Sequence, residues 1–151
     1  MSELMTATHN FGTAPTRGTS AADTFKAALY LTTATIDAST TAYSATNEVS
    51  GTNYTAGGVN VGSWNAPTPT NSSATAGTAF TTPTASITYG TSGSPVTLST
   101  AFNAVLIYNS TQSNKAVSVH TFGSQTVTAG TFTLTMPANT TSTALLRLAT
   151  T

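Results

Sequence analysis

At 151 residues the chain is long enough for one domain with a sizeable core, since a compact fold of that size buries roughly 70% of the surface its unfolded chain exposes. Charged residues make up only 5% of it and cancel to zero net charge, so there is no basic cluster to neutralise phosphates and nucleic-acid binding is not expected. The absence of cysteine removes any disulfide framework, and no apolar run approaches the roughly 20 residues of a membrane helix. About a quarter of the residues are threonine by count, a β-branched residue that loses rotamer freedom in helices and suits pleated sheets. The composition therefore points to an all-β chain kept soluble by hydroxyls and amides.

Residues 1–22 mix Thr, Ser, Gly, Pro and Ala without period and read as an N-terminal arm, either a disordered leader or a segment that orders on a partner. Within it Phe11, Pro15 and Arg17 are the candidate contact residues, with Phe11 as the anchor. Met1–Ser20 has neither a basic start nor a continuous apolar core, so it is not expected to be a secretion signal. The first strand is expected over Thr24–Leu31, with Phe25, Ala27, Leu29 and Leu31 facing the core and Lys26, Ala28 and Tyr30 facing away. A helix competes for this stretch, but the β-branched residues that follow and the lack of a helix stop favour the strand.

The most unusual stretch is TNEVSGTNYTAGGVNV, Thr46–Val61. Glu48, Tyr54 and the glycines Gly51, Gly57 and Gly58 suggest a shaped turn or bulge held by a structural carboxylate. After it, residues 62–84 carry Pro67, Pro69 and Pro83 among Ser, Asn and Gly and read as a long surface loop or an extended edge segment. Trp64 and Phe80 pin its ends and are its candidate surface contacts. The second half is more regular. Strands are expected over Val96–Phe102 and Asn103–Asn109, a turn at Ser113–Lys115, a strand over Lys115–Phe122, and a turn at Gly123 and Ser124. Strands carrying Phe132, Leu134 and Met136, and then Ala144, Leu146 and Leu148, complete the chain. The expected fold is all-β: a single-domain β-sandwich or barrel-like fold over 23–151, preceded by the arm and carrying the 62–84 loop.

Chemistry is hard to find in this sequence. His9 and His120 have no metal-ligand spacing with any carboxylate, and the glycine pair at Gly57 and Gly58 lacks the context of a phosphate loop. Asp37 and Glu48 lie in one region and are the only candidates for a paired-carboxylate glycosidase, yet two carboxylates among many hydroxyls are more often turn caps or ion-pair partners. No enzyme activity, catalytic residue, cofactor or metal is expected. Arg147, alone in a neutral closing strand, is expected to pair with Glu48 or Asp37.

The segment KAALYLTTATIDASTTAYSATNEVSGTNYTAGGVNV, followed by AVLIYNSTQSNKAVSVHTFG and the closing TFTLTMPANTTSTALLRLA, resembles a family of small virion structural proteins of tailed bacteriophages. The similarity spans about Thr24–Ala149, and NEVSGTNYTAGG is its most specific part. Val105 and the proline-rich insert at 62–84 depart from the family pattern. The resemblance implies a capsid decoration (cement) protein, made in the host cytoplasm and bound to the outer surface of the virion head. Its implied partners are the major capsid protein and further copies of itself, as a dimer or a trimer with the trimer slightly favoured. The alternative is a head-fibre or tail-associated receptor-binding module in which Trp64 stacks on a host glycan.

Overall fold

A computed structural model of the chain describes residues 23–66, 68–72 and 75–149. Phe11, Pro15 and Arg17 lie outside the described residues. No helix occurs among the described residues, so none is long and apolar enough to cross a membrane, and the all-β expectation holds. Where a single domain carrying a loop is expected, the chain instead divides into two compact units. The described parts of the first are Asp23–Val61 and Ile87–Leu134, and those of the second are Gly62–Ser86 and the chain from Thr135.

The first unit is built on β1 (Phe25–Leu31), which pairs antiparallel with β6 (Val96–Asn109) on one side and with the two-residue β2 (Val59–Asn60) on the other. Strand β7 (Lys115–Gly130) continues the sheet beyond β6, giving the order β2-β1-β6-β7. A separate ribbon of β5 (Ile87–Tyr89) and β8 (Phe132–Leu134) completes the unit. Both sheets are open, since neither strand order closes on itself.

Strand β1 was expected to bury one face, but it is buried on both. Ala27, Ala28, Leu29 and Tyr30 are all 2% exposed or less. Residues directly opposite in an antiparallel pair share a face, so the register separates the two cores. Ala28 opposite Leu106 and Tyr30 opposite Ala104 begin one, to which Tyr108 belongs. Ala34, Ile36 and Tyr43, from the connection after β1, fold back over that core, and Ala116 and Val119 of β7 join it. Strand β7 skips Val117 in its pairing with β6, and that bulge turns Ala116 to the same side as Val119. Leu29 opposite Val105 and Ala27 opposite Ile107 form the other face. There the Tyr89 hydroxyl donates to the Ala27 carbonyl at 3.0 Å, and Phe132 packs edge-on against Phe102 with ring centres 5.0 Å apart.

The β6–β7 connection is a hairpin with positive φ at Ser113 and Asn114, closed by the Lys115 amide on the Gln112 carbonyl. Two consecutive left-handed residues are what a type I′ turn requires, so the turn expected at Ser113–Lys115 is present. The turn expected at Gly123 and Ser124 is absent. Strand β7 runs through both residues, and the register jumps between Thr121 and Gln125, so the glycine marks a bulge inside one long strand. The two strands expected between Val96 and Asn109 are likewise one, β6.

In the second unit the segment expected as a long loop or an extended edge segment holds a hairpin of β3 (Thr68–Ser72) and β4 (Thr75–Thr81), and β9 (Leu146–Ala149) pairs with β4. Pro69 is tolerated because β3 is an edge strand in the order β3-β4-β9. Ala144 is buried, whereas Leu148 is 51% exposed. The two-faced burial of β1 gives a first prediction. Truncating Leu29, which is 0% exposed, to alanine is expected to cost about 2–5 kcal/mol, read as a lowered midpoint in chemical denaturation. A cost under 1 kcal/mol would mean that this face is not a packed core.

Candidate functional site

Strand β1 has β6 on one side, but β2 covers only Lys26 and Ala27 on the other. The remaining edge is closed by the stretch Thr46–Val61. The Leu31 amide donates to the Asn47 carbonyl at 3.0 Å, and the Val49 amide donates to the Leu29 carbonyl at 2.9 Å. The chain then makes an excursion through Ser50–Gly57 and returns, with the Val61 amide donating to Phe25 at 2.9 Å. The excursion leaves one ladder position open, the Leu29 amide. That amide donates instead to the Tyr54 hydroxyl at 3.0 Å.

Glu48 holds this arrangement. Its Oε1 accepts from the Tyr54 hydroxyl and from the Gly57 amide, each at 2.8 Å, and its Oε2 accepts from the Tyr43 hydroxyl at 2.6 Å. The Tyr108 hydroxyl donates to the Gly57 carbonyl at 2.7 Å, and the Tyr43 and Tyr108 rings stack with centres 4.7 Å apart. The Tyr30 hydroxyl donates to the Ser44 carbonyl. Close backbone approach dictates two of the glycines. A Cβ on Gly58 would lie 1.7 Å from the Ala27 carbonyl oxygen, at a φ of +72°, and one on Gly51 would lie 2.1 Å from the Thr97 oxygen. Contacts that short cannot relax without moving backbone, so both positions exclude a side chain.

The expected set Glu48, Gly51, Tyr54, Gly57 and Gly58 is thus brought together, in the expected role of a turn and its pin. Arg147 is not part of it. Both Glu48 oxygens are engaged by hydroxyls and an amide, while the Arg147 guanidinium donates to the Thr141 carbonyl at 3.0 Å. Asp37 does not pair with Arg147 either; it accepts from the amide and hydroxyl of Ser39 at 2.7 and 2.6 Å, an exposed turn cap whose hydrogen bonds hold the carboxyl below its ordinary pKa. Trp64 and Phe80 are not the expected surface contacts: they are 5% and 8% exposed, so both rings are buried. Trp64 bridges to Pro83, and the Thr81 hydroxyl donates to the Asn65 carbonyl, which folds the segment onto itself.

The residues missed from the sequence are the tyrosines other than Tyr54, above all Tyr43 and Tyr108. All five tyrosines of the chain belong to the first unit, and three of them hydrogen-bond to Glu48 or to Gly57, which Glu48 holds. The available signal was their number in a chain with so few charges. Burial raises the pKa of every one, and the Glu48 charge adds to it in each case; Tyr108 is pushed up to about 12, and Tyr43, Tyr54 and Tyr89 further. His120, in β7, is shifted down by burial and contacts the Ser118 hydroxyl at 3.0 Å. No cluster of three or more His, Cys, Asp or Glu able to hold a metal occurs among the described residues. Two open clefts accompany these elements. One of about 330 Å³ in the first unit is lined by Lys26, Asn53, Tyr54 and Asn60, and one of about 250 Å³ in the second by Asn65, Ser86, Met136 and Asn139.

Two predictions follow from this geometry. Replacing Glu48 with alanine strips the acceptor from two hydroxyls and an amide, and is expected to cost roughly 2–4 kcal/mol in denaturant unfolding, whereas Arg147→Leu, losing one exposed bond, stays within about 0.5 kcal/mol. Equal costs for the two variants would contradict the pin. The tyrosines set the alkaline limit. With folded pKa values raised above the ordinary 10.0, their contribution is complete below pH 10 and is lost as pH rises toward about 12, because the unfolded chain ionises first. Tyrosinate absorbance is therefore expected to appear together with loss of the β circular dichroism signal. Ionisation near pH 10 in an intact fold would refute it.

No family model matches the chain, and no curated protein or solved structure does.

Proposed function

We propose that the chain is a non-enzymatic virion structural protein of a tailed bacteriophage, a capsid decoration (cement) protein that binds the outer surface of the head and stabilises contacts between major capsid subunits. The observation that carries this reading is how the segment with the strongest resemblance is used. NEVSGTNYTAGG closes the edge of β1, and its one carboxylate has both oxygens engaged in doing so. A general acid or nucleophile needs an oxygen free to face a substrate, so the segment reads as framework rather than catalytic machinery.

The composition supports the same reading. A protein that bridges capsid subunits works through buried area, with specific interfaces typically of about 1,200–2,000 Å². A chain with only 5% charged residues brings little charge to desolvate over such an area. An exterior position needs no contact with DNA, in keeping with zero net charge. The receptor-binding alternative loses the ring it relied on, because Trp64 is buried and offers no platform for a sugar.

The test is binding of the purified protein to expanded empty heads and, in parallel, to host cells and their surface glycans. Saturable binding to heads alone, at hundreds of copies per virion, is expected; binding to cells or glycans with a handful of copies per virion would replace this reading with the receptor-binding one. Within the same assay, deleting residues 2–20 is expected to weaken head binding about tenfold or more, a loss of roughly 1.4 kcal/mol per decade. Unchanged binding would remove the arm, with Phe11, Pro15 and Arg17, from the interface.

A further inference from the structure

The two sides of the four-stranded sheet are treated differently. The β1 side ends in a two-residue edge strand and a segment held down by Glu48 and Tyr54. The β7 side ends in a strand of 16 residues, of which only the first two are met from outside by described residues, through the bridge of Ala42 to Lys115 and the Ala116 amide on the Thr41 carbonyl. From Val117 to Gly130 the sequence VSVHTFGSQTVTAG contains no proline and no Lys, Arg, Asp or Glu, the residues that ordinarily guard a long edge. Its one ionisable side chain, His120, is shifted toward the neutral form by burial.

We infer that the outer edge of β7 is a homodimer interface, taking the β7 of a second copy of this chain in an antiparallel pair about a twofold axis. The charge pattern selects this occupant. A neutral edge offers nothing to a charged partner strand, whereas it meets its own copy without like charges opposed. A twofold axis perpendicular to the sheet runs the strands antiparallel and keeps each face on its own side, so opposed residues have numbers of equal parity. Ser118–Thr121 is the longest run of β7 in one-to-one register with β6, and a pair centred there sets Val119 or His120 against its own mate. Lys115 then falls opposite Gly123 or Gln125 of the other copy, both uncharged. The skipped positions at Val117, between Thr121 and Gln125, and between Val127 and Gly130 interrupt the edge and confine pairing to this run. Each copy has one such edge, so the twofold pair consumes it and assembly stops at two.

The inference is independent of the proposed virion role and is tested on the isolated full-length chain. Sedimentation over a concentration series is expected to give a mass rising from one to two copies and no further. The exposed Thr121 is the point of attack: Thr121→Lys adds a charge to each strand within the paired run, beside its centre, and is expected to abolish the dimer, while Thr121→Val keeps it. Circular dichroism melts of the Lys variant, unchanged at monomer concentrations, separate lost pairing from lost folding. Amide exchange in the wild type is expected to slow with concentration at Ser118–Thr121 and not at β1. A wild type that stays monomeric across the series, assembly beyond two copies, or a Thr121→Lys protein that still dimerises would overturn it.

Discussion

The structure of the first unit depends on a carboxylate that only accepts. Glu48 takes hydrogen bonds from two tyrosine hydroxyls and one backbone amide, and the direction of each follows from its having no proton to give. Because the Tyr54 hydroxyl must donate to Glu48, its own oxygen is left to accept from the Leu29 amide. A glutamine amide at the Oε1 position would oppose the Gly57 amide donor to donor, and at the Oε2 position it would require the Tyr43 hydroxyl to turn and accept. The ladder gap at Leu29 is therefore filled at two removes by the charge on Glu48. Leu29 is fully buried, and an unpaired amide there would cost free energy comparable to a lost hydrogen bond.

With so few charges, hydroxyls take over work that ion pairs and caps do elsewhere. The Thr24 amide donates to the Thr111 hydroxyl at 2.8 Å, the Ala129 amide to Thr97 at 3.0 Å, and in the second unit the Leu145 amide to the buried Thr82 at 2.9 Å. Across the β5–β8 ribbon Thr88 and Thr133 meet directly at 3.1 Å. A threonine hydroxyl is short, stiff and close to the backbone, so it satisfies an irregular amide with little rotamer entropy to lose. The threonine bias thus serves loops and turns as well as the strands for which its β-branching suits it.

What was legible in the sequence follows the range of each interaction. Strand β1 was placed to within a residue, since period-two apolarity is a local signal, and the β6–β7 turn was readable from Ser113-Asn114. Glycines forced by contact were visible as a cluster, though the Ala27 and Thr97 carbonyls that force Gly58 and Gly51 were not. The second face of β1 was misread because Ala28 and Tyr30 look like a solvent face until the connection carrying Ala34, Ile36 and Tyr43 covers them. Pro69 left open a loop or an extended edge segment and sits in an edge strand; what was not readable is that this strand pairs with the residues after it as a hairpin. Arg147 was assigned a carboxylate on scarcity of charge alone; its partner is a backbone carbonyl six residues away, which charge counting does not see.

Open sheets must deal with two edges, and this chain deals with them by unlike means. On the β1 side the remedy is chemical, with a half-buried acid, tyrosine hydroxyls and a glycine laid against the Ala27 carbonyl closing backbone groups that lie between two cores. That closure is rigid because each participant is also held from elsewhere: Tyr43 is stacked on Tyr108, and Tyr54 on Tyr89 at 6.1 Å. On the β7 side the remedy is geometric. Residues there are half-buried or exposed, so unpaired groups face water at little cost, and bulges break the strand into short runs that cannot template a long stack. The difference follows burial. An edge between two cores has to be satisfied within the chain, whereas an edge in water can be left available, and the lack of Lys, Arg, Asp and Glu from Val117 to Gly130 leaves it so.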